Sequence, residues 1–380
     1  DCIMFKKVLQ RYLITAIFSI IPLNFTKMAM TKYHVLGVMS GTSLDGIDLA
    51  ELFFTFSETE GWNFEFGNTE TVAYSEEWKA SLKTAISQSE YVLKTLNEAY
   101  TVYLAEVIST FIQKNLIENL DAVCSHGHTV LHRPDEGITL QIGNLPKLAD
   151  LVNQTVVCDF RIADVAFGGQ GAPLVPIGDR LLFNEYDYCL NLGGFANCSF
   201  EADGKRIAYD ICPVNIVLNT RSEMLGLPFD DKGMIAKSGG FNLMLSEALG
   251  ALPYYKEQPP KSLGLEWVQA NIQPLLDKTS MDVKDQLRTL TDHFADQIGR
   301  QFKKRSTVLV TGGGAYNQYL LKQITCDKKI EIVIPSPQLI EYKEALIFGL
   351  LGVLKMRDEV NCLASVTGAK NDHSSGVIYN

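Results

Sequence analysis

VLGVMSGTSLDGIDLAELFF, residues 35–54, decides how the rest of the chain is read. An apolar run (Val35, Leu36, Val38) passes through the small-residue turn Ser40-Gly41-Thr42-Ser43-Leu44-Asp45-Gly46 into a second apolar run beginning at Ile47. Two strands joined by a tight turn fit this pattern. Gly41 and Gly46 can take φ > 0, and Ser40, Thr42 and Ser43 carry short hydroxyls, so backbone N–H groups and hydroxyls can converge on a small anion such as phosphate. Asp45 and Asp48 would repel a bare phosphate, which makes a Mg²⁺-nucleotide the better-matched ligand. A hairpin with a merely polar tip reads equally well from the residues alone.

The chain has 380 residues, enough for two domains with a cleft between them. Hydrophobic content of 46% and charged content of 21% are those of an ordinary folded protein. A net charge of −10, a pI near 5.2 and the lack of a basic block argue against nucleic-acid binding. Eight cysteines are scattered without a CxxC pair, and most lie in apolar runs, as reduced core thiols of a cytoplasmic protein would. Residues 1–30 pair Lys6, Lys7 and Arg11 with the apolar run 12–21. This looks like part of a signal peptide but lacks an A-x-A-like site, and it is expected to lie outside the fold. The run is too short for comfortable membrane insertion. A homodimer is compatible with the sequence but not specified by it.

Four further stretches carry chemistry. After the helical region 76–119 and a buried strand at 121–124, SHGHTVLHRP reads as a polar loop. Its His126, His128 and His132 hint at a metal but match no standard zinc pattern. An apolar strand, TVVCD (155–159), leads to Arg161, Asp164 and the glycine-rich loop 167–176, which together offer a carboxylate, a cation beside it and close backbone access. DYCLNLGGFANCSF (187–200) repeats the plan of the first hairpin, with Gly193 and Gly194 at its turn between Asn191 and Asn197. VLVTGGGAYN (308–317) is a strand that empties into Gly312, Gly313 and Gly314, either a plain turn or a close backbone approach to a flat or anionic group. Near the C-terminus, 341–354 reads as a helix entered through acidic residues.

MSGTSLDGIDLA and DFRIADVAFGGQGAPLVP resemble the anhydro-N-acetylmuramic acid kinases, sugar kinases with an actin/hexokinase-type ATPase fold, and the similarity runs over about residues 33–379. The resemblance implies an α/β protein with two lobes and an interdomain cleft, residues 31–158 plus 341–380 forming the first lobe and 159–340 the second. It implies ATP and Mg²⁺, with nucleotide contacts at Gly41, Thr42, Ser43, Leu44, Asp45, Gly46, Ile47 and Asp48, at Asn191, Gly193 and Gly194, and at the adenosine turn Gly312, Gly313, Gly314 and Asn317. Asp45 is the implied metal ligand and Asp164 the implied catalytic base, with Asp159 structural. His126, Thr129, Arg161, Glu341 and Glu344 are the implied sugar contacts. His128 stands where the family has Gln, and Ile211, Cys212 and Val214 replace the Thr and two Gly residues of the family's FDTGPGN form, while Asp210 and Asn215 are kept as lining residues. The implied reaction turns 1,6-anhydro-N-acetylmuramic acid, water and ATP into N-acetylmuramate 6-phosphate and ADP in cell-wall recycling. A sugar-independent ATPase and a non-catalytic amino-sugar-binding protein are the alternatives.

Overall fold

The computed structural model describes residues 30–41, 44–326 and 329–380. The N-terminal stretch up to residue 29, and with it the reading of a signal-like extension, lies outside them, as do Thr42 and Ser43. Two mixed sheets share one plan. In the first, β1 (Thr31–Ser40), β2 (Gly46–Ser57) and β3 (Gly61–Ala73) form an antiparallel meander. β1 then pairs in parallel with β4 (Ala122–Arg133), and β4 with β6 (Val156–Cys158); β5 (Ile138–Ile142) folds back on the far end of β4. In the second, β7 (Tyr188–Leu192), β8 (Phe195–Ala202) and β9 (Lys205–Pro213) repeat the meander. β7 continues in parallel into β10 (Thr307–Thr311) and β10 into β11 (Glu331–Val333). The short β12 (Val377–Tyr379) closes the first sheet against β6. Each meander therefore opens on one of the two glycine turns singled out in the sequence, the duplicated α/β layout expected of an actin/hexokinase-type fold.

The helices follow their apolar periodicity. α1 (Glu76–Ala85) and α2 (Glu90–Lys114) are capped by Ser75 and Ser89, whose hydroxyls accept from the backbone of Trp78 and Val92. α2 buries Tyr100, Leu104, Ile108 and Phe111 against the first sheet. α3 (Ile162–Ala166) and α4 (Val175–Leu182) follow β6, and α5 (Asn215–Glu223) follows β9. α6 (Val283–Gly299) buries Leu287, Leu290, Phe294 and Ile298 under the second sheet.

α7 (Pro337–Met356) is the central helix, and glycines let it press onto the first sheet. A Cβ on Gly37 would stand 2.1 Å from the Ala345 carbonyl oxygen, and one on Gly352 2.1 Å from Cys124 Sγ, so neither contact survives a side chain. The same core takes in Phe160, Leu174, Ile177 and Leu182 from the segment between the sheets. A buried ion network adds to the junction: Lys343 Nζ lies 2.7 Å from Asp179 Oδ1, Ser199 donates to Asp179 Oδ2 at 2.5 Å, and Arg206 donates to Ser199 at 2.8 Å.

Two sequence expectations change here. SHGHTVLHRP is not a loop: β4 runs through it to Arg133, because β5 supplies hydrogen-bond partners that the sequence does not announce. α7 starts at Pro337 behind the cap Ser336, so Glu341 and Glu344 lie past its first turn, and the helix dipole does not account for them.

Candidate active site

The first hairpin holds its turn by side chains on both flanks. Ser40 Oγ is buried, 2.6 Å from the Tyr74 hydroxyl and 2.8 Å from His128 Nδ1, so it is spoken for within the protein. Burial pushes the His128 pKa down to about 4, which leaves a neutral ring beside Ser40. The Leu44 N–H reaches the Gly41 carbonyl at 3.4 Å, and it is Leu44 (φ 61), not Gly46, that takes the left-handed conformation. Gly46 is needed for a different reason: a Cβ there would lie 2.5 Å from the Val72 carbonyl oxygen. Ile47 is fully buried in the core, so only its backbone can face a ligand. Beyond the turn, Asp45 is exposed and Asp48 half-buried, with Thr71 donating to Asp48 Oδ1 at 2.6 Å.

Asp48 is within electrostatic reach of Asp45 and of Glu341 and Glu344 of α7. Burial first, then Asp45 and Glu341, push the Asp48 pKa up against the opposing hydrogen bond from Thr71. Glu344 is raised by desolvation and by Asp48, with Arg161 and Lys343 acting the other way. Glu344 is nevertheless solvent-exposed. A carboxylate that is solvent-accessible and still partly desolvated lines a concave part of the surface. Such oxygen-only, mutually repelling donors suit a hard divalent cation. Tyr316, on the glycine turn after β10, donates to Glu341 at 3.1 Å and so brings the second sheet to the same cleft.

On the second sheet the two glycine turns touch. A Cβ on Gly312 (φ 79) would fall 2.5 Å from Asn191 Oδ1, and one on Gly314 2.6 Å from Leu192 Cβ. Gly193, Gly194 and Gly313 are different: none has a positive φ, and a Cβ would meet nothing nearer than 3.3, 3.7 and 3.9 Å respectively. The fold itself does not require glycine at these three positions, which leaves backbone open for a ligand's close approach. The carbonyls of Gly193 and Gly194 accept from the first amides of α5, at Asn215, Val214 and Ile216. The trans N–H groups of Gly194 and Phe195 therefore point away from α5. Asn215 supports the turn through the Leu192 carbonyl at 3.0 Å. Asn317 caps the following helix by accepting from Leu320 N at 3.0 Å. Asp210 accepts from Leu263 N at 2.8 Å, and burial raises its pKa.

Arg161 joins the two halves of the expected sugar site. Its Nε donates to His126 Nε2 at 2.9 Å and its Nη1 to the Gly171 carbonyl at 2.6 Å. His126 turns Nδ1 to the Gly127 carbonyl at 2.8 Å; burial and the adjacent guanidinium hold its pKa well down, so the ring is neutral. Thr129 lies on β4, 3.4 Å from Gln141 Nε2. Asp159, at φ 58, accepts from Asn144 at 3.0 Å, and burial pushes its pKa to about 6.

Asp164 is 0% exposed. Its Oδ2 accepts from Gly171 N at 2.7 Å, and its Oδ1 accepts from the Thr367 hydroxyl at 2.7 Å and the Cys362 thiol at 3.0 Å. Gly169 closes over it, since a Cβ there would sit 2.2 Å from Oδ2. Sequence reading missed Thr367 and Cys362, which lie some 200 residues away, and it missed Thr71, Tyr316 and Lys343. Tyr316 alone had a signal, its place directly after the three glycines.

The sequence matches, over residues 33–380, a family model described as anhydro-N-acetylmuramic acid kinase. The anhydro-N-acetylmuramic acid kinase of Mannheimia succiniciproducens is 33% identical over 378 residues, covering 92% of this chain and 100% of that protein. Its counterpart from Xanthomonas oryzae pv. oryzae is 35% identical over 367 residues, covering 90% and 96%. A solved structure, (R)-2-hydroxyglutaryl-CoA dehydratase component A of Acidaminococcus fermentans, overlaps 86% of this chain and 99% of that one at a TM-score of 0.45 and 13% identity.

Proposed function

The chain belongs to the anhydro-N-acetylmuramic acid kinase family, and from that premise we propose that it converts 1,6-anhydro-N-acetylmuramic acid, water and ATP into N-acetylmuramate 6-phosphate and ADP in cell-wall recycling. The site assignment is supported by the hydrogen bond from Tyr316 to Glu341, which links the second glycine turn to α7, and by the electrostatic influence of Glu341 on Asp48 and of Asp48 and Arg161 on Glu344. We assign the nucleotide to the backbone of the turn after β1 and to Gly193, Gly194 and Gly313, and the sugar to the side of Arg161, His126 and Glu344. Asp45 and Asp48 would hold Mg²⁺, which when bound neutralises and orients the phosphates.

In the proposed reaction Asp164 takes a proton from water as its oxygen bonds the anomeric carbon. The C1–O6 bond breaks, O6 takes the γ-phosphoryl group and ADP leaves, so the alkoxide is captured as it forms. Because Asp164 is enclosed, the loop over it must open before water arrives; Gly168 and Gly171, at φ 82 and 66, are suited to that bend. We also propose that residues 31–158 with 341–380 and residues 159–340 close as two lobes. A cytoplasmic setting is supported by the free state of the described cysteines. No helix among the described residues is long and apolar enough to cross a membrane. Mass spectrometry of product made in ¹⁸O-water tests the reaction: one heavy oxygen at C1 of a 6-phosphorylated sugar is expected. ADP release without sugar would instead favour a plain ATPase.

A further inference from the structure

Arg161 is a cation whose hydrogen-bond partners are neutral. Its Nε donates to His126 Nε2 at 2.9 Å and its Nη1 to the Gly171 carbonyl at 2.6 Å. Burial pulls its pKa down to about 10, opposed by Glu344 first and then by Cys362 and Asp164, yet no carboxylate of the described residues comes within salt-bridge distance of it. A guanidinium taken partly out of water without an anion beside it is destabilising on its own. Two of its five N–H groups are used, which leaves one on Nη1 and both on Nη2. The Nη1–Nη2 end of a guanidinium matches the two oxygens of a carboxylate. Arg161 is half-buried rather than enclosed and acts on the exposed Glu344, so a ligand can reach it.

His126 aims that fork. The residue is 4% exposed and both ring nitrogens are taken: Nδ1 lies 2.8 Å from the Gly127 carbonyl and so holds the proton, while the Nε2 lone pair receives Arg161. It has no group left for a sugar. Its ring packs on Phe348 of α7, with 4.5 Å between centroids, one turn beyond Glu344. The Gly171 carbonyl is anchored too, because Gly171 N donates to Asp164 Oδ2 at 2.7 Å. β4, α7 and the glycine-rich loop together fix one side of the guanidinium.

The sugar of the proposed reaction is an acid: its lactyl ether ends in the one group of the molecule that is ionised at neutral pH. The nucleotide phosphates already have the glycine-turn backbone and Mg²⁺ in the assignment above. Lys343, the other cation that acts on Glu344, is buried and held by Asp179 at 2.7 Å. We propose that Arg161 receives the lactyl carboxylate and so sets the preference for a muramic over a glucosamine-type sugar, and that His126 is the positioning residue that aims it rather than a sugar contact. The proposal rests on the sugar-kinase reading. Glu344 is the charge that opposes an incoming carboxylate, and desolvation and Asp48 raise its pKa, which weakens that opposition.

Two sugars that differ in charge provide the test: 1,6-anhydro-N-acetylmuramic acid and the same compound with its lactyl carboxylate converted to the primary amide. The wild-type protein should favour the acid about 10- to 200-fold in kcat/KM, the weight of hydrogen bonds to a charged group. Arg161→Gln should bring that ratio close to one, chiefly through the KM for the acid. His126→Phe and His126→Leu, which offer Arg161 Nε no acceptor, should lower the ratio, and His126→Gln, which restores one, should recover it; each variant is first shown to melt cooperatively. The ratio is internal to each protein, so a loss of folded material alone does not move it. A wild-type ratio near one, or a ratio that Arg161→Gln leaves intact, overturns the assignment. An intact ratio with a weakened Mg-ATP affinity by calorimetry would give Arg161 to the phosphates instead. A ratio lost in Arg161→Gln but kept in both apolar His126 variants overturns the role of His126. Wild-type protein that phosphorylates neither sugar overturns the kinase reading itself, and this proposal with it.

Discussion

The Tyr316 hydroxyl donates to Glu341 Oε1 at 3.1 Å, tying the glycine turn of the second sheet to the helix that is packed on the first. Tyr316 is 44% exposed, so the bond is partly screened by water. Tyr316→Phe should raise the KM for ATP about two- to tenfold, the equivalent of one hydrogen bond of roughly 0.5–1.5 kcal/mol, and leave the melting temperature unchanged. Steady-state kinetics at saturating sugar check this.

Glycines in two parts of the fold should respond differently to the same added methyl. Gly193→Ala meets nothing nearer than 3.3 Å and should fold normally, yet weaken ATP binding about tenfold or more by blocking close approach of the phosphates. Gly352→Ala drives a methyl to 2.1 Å from Cys124 Sγ and should cost about 1–3 kcal/mol of stability, whatever its effect on ATP. Calorimetric titration and urea unfolding separate the two.

Lys343 and Asp179 are 6% and 4% exposed and pair at 2.7 Å. Burial opposes the charge on Lys343, but Asp179 outweighs it and the Lys343 pKa is raised. Lys343→Met leaves the Asp179 carboxylate without its closest cation and should destabilise the protein by about 3–5 kcal/mol, whereas Lys343→Met with Asp179→Leu should recover much of the loss. Chemical denaturation of the three proteins measures it.

The cleft carboxylates give a pH dependence with a definite sign. The pKa of Asp48 is raised in the folded state above its ordinary 3.8, and that of Glu344 above 4.5. The folded protein therefore binds more protons than the unfolded chain between each unfolded and folded value. Their contribution to stability is present in acid and lost as pH rises through the folded values. Asp48→Asn should raise the melting temperature at neutral pH and flatten its fall between acid and neutral. Added Mg²⁺ should stabilise the wild-type protein at neutral pH and do less for Asp48→Asn. Thermal melts across pH, with and without the ion, decide it.

Much of the fold could be read from the sequence because it rests on local signals: alternating apolar strands bent at glycines, and the three- and four-residue spacing of α2 and α6. The run of β4 through His126 and on to Arg133 could not be read, since a strand in polar residues depends on its partners, β1 up to His128 and β5 from His128 onward. Gly46 was legible as special but not for its reason, which is the Val72 carbonyl on another strand. The same limit hid the surroundings of Asp164, whose Thr367 and Cys362 partners arrive from the C-terminal segment 362–367. Glu341 and Glu344 were found through resemblance, whereas their chemistry depends on the nearby charge of Asp48 on another strand.

Asp164→Asn tests the central claim most directly. The amide must set a donor against Gly171 N–H or against Thr367 and Cys362, so a melting curve accompanies the assay. With the fold intact, calorimetry should find ATP affinity nearly unchanged and coupled ADP-release kinetics should find turnover on the anhydro-sugar reduced roughly 10²- to 10⁴-fold, the usual cost of losing a general base. Turnover equal to that of the wild type would contradict the account.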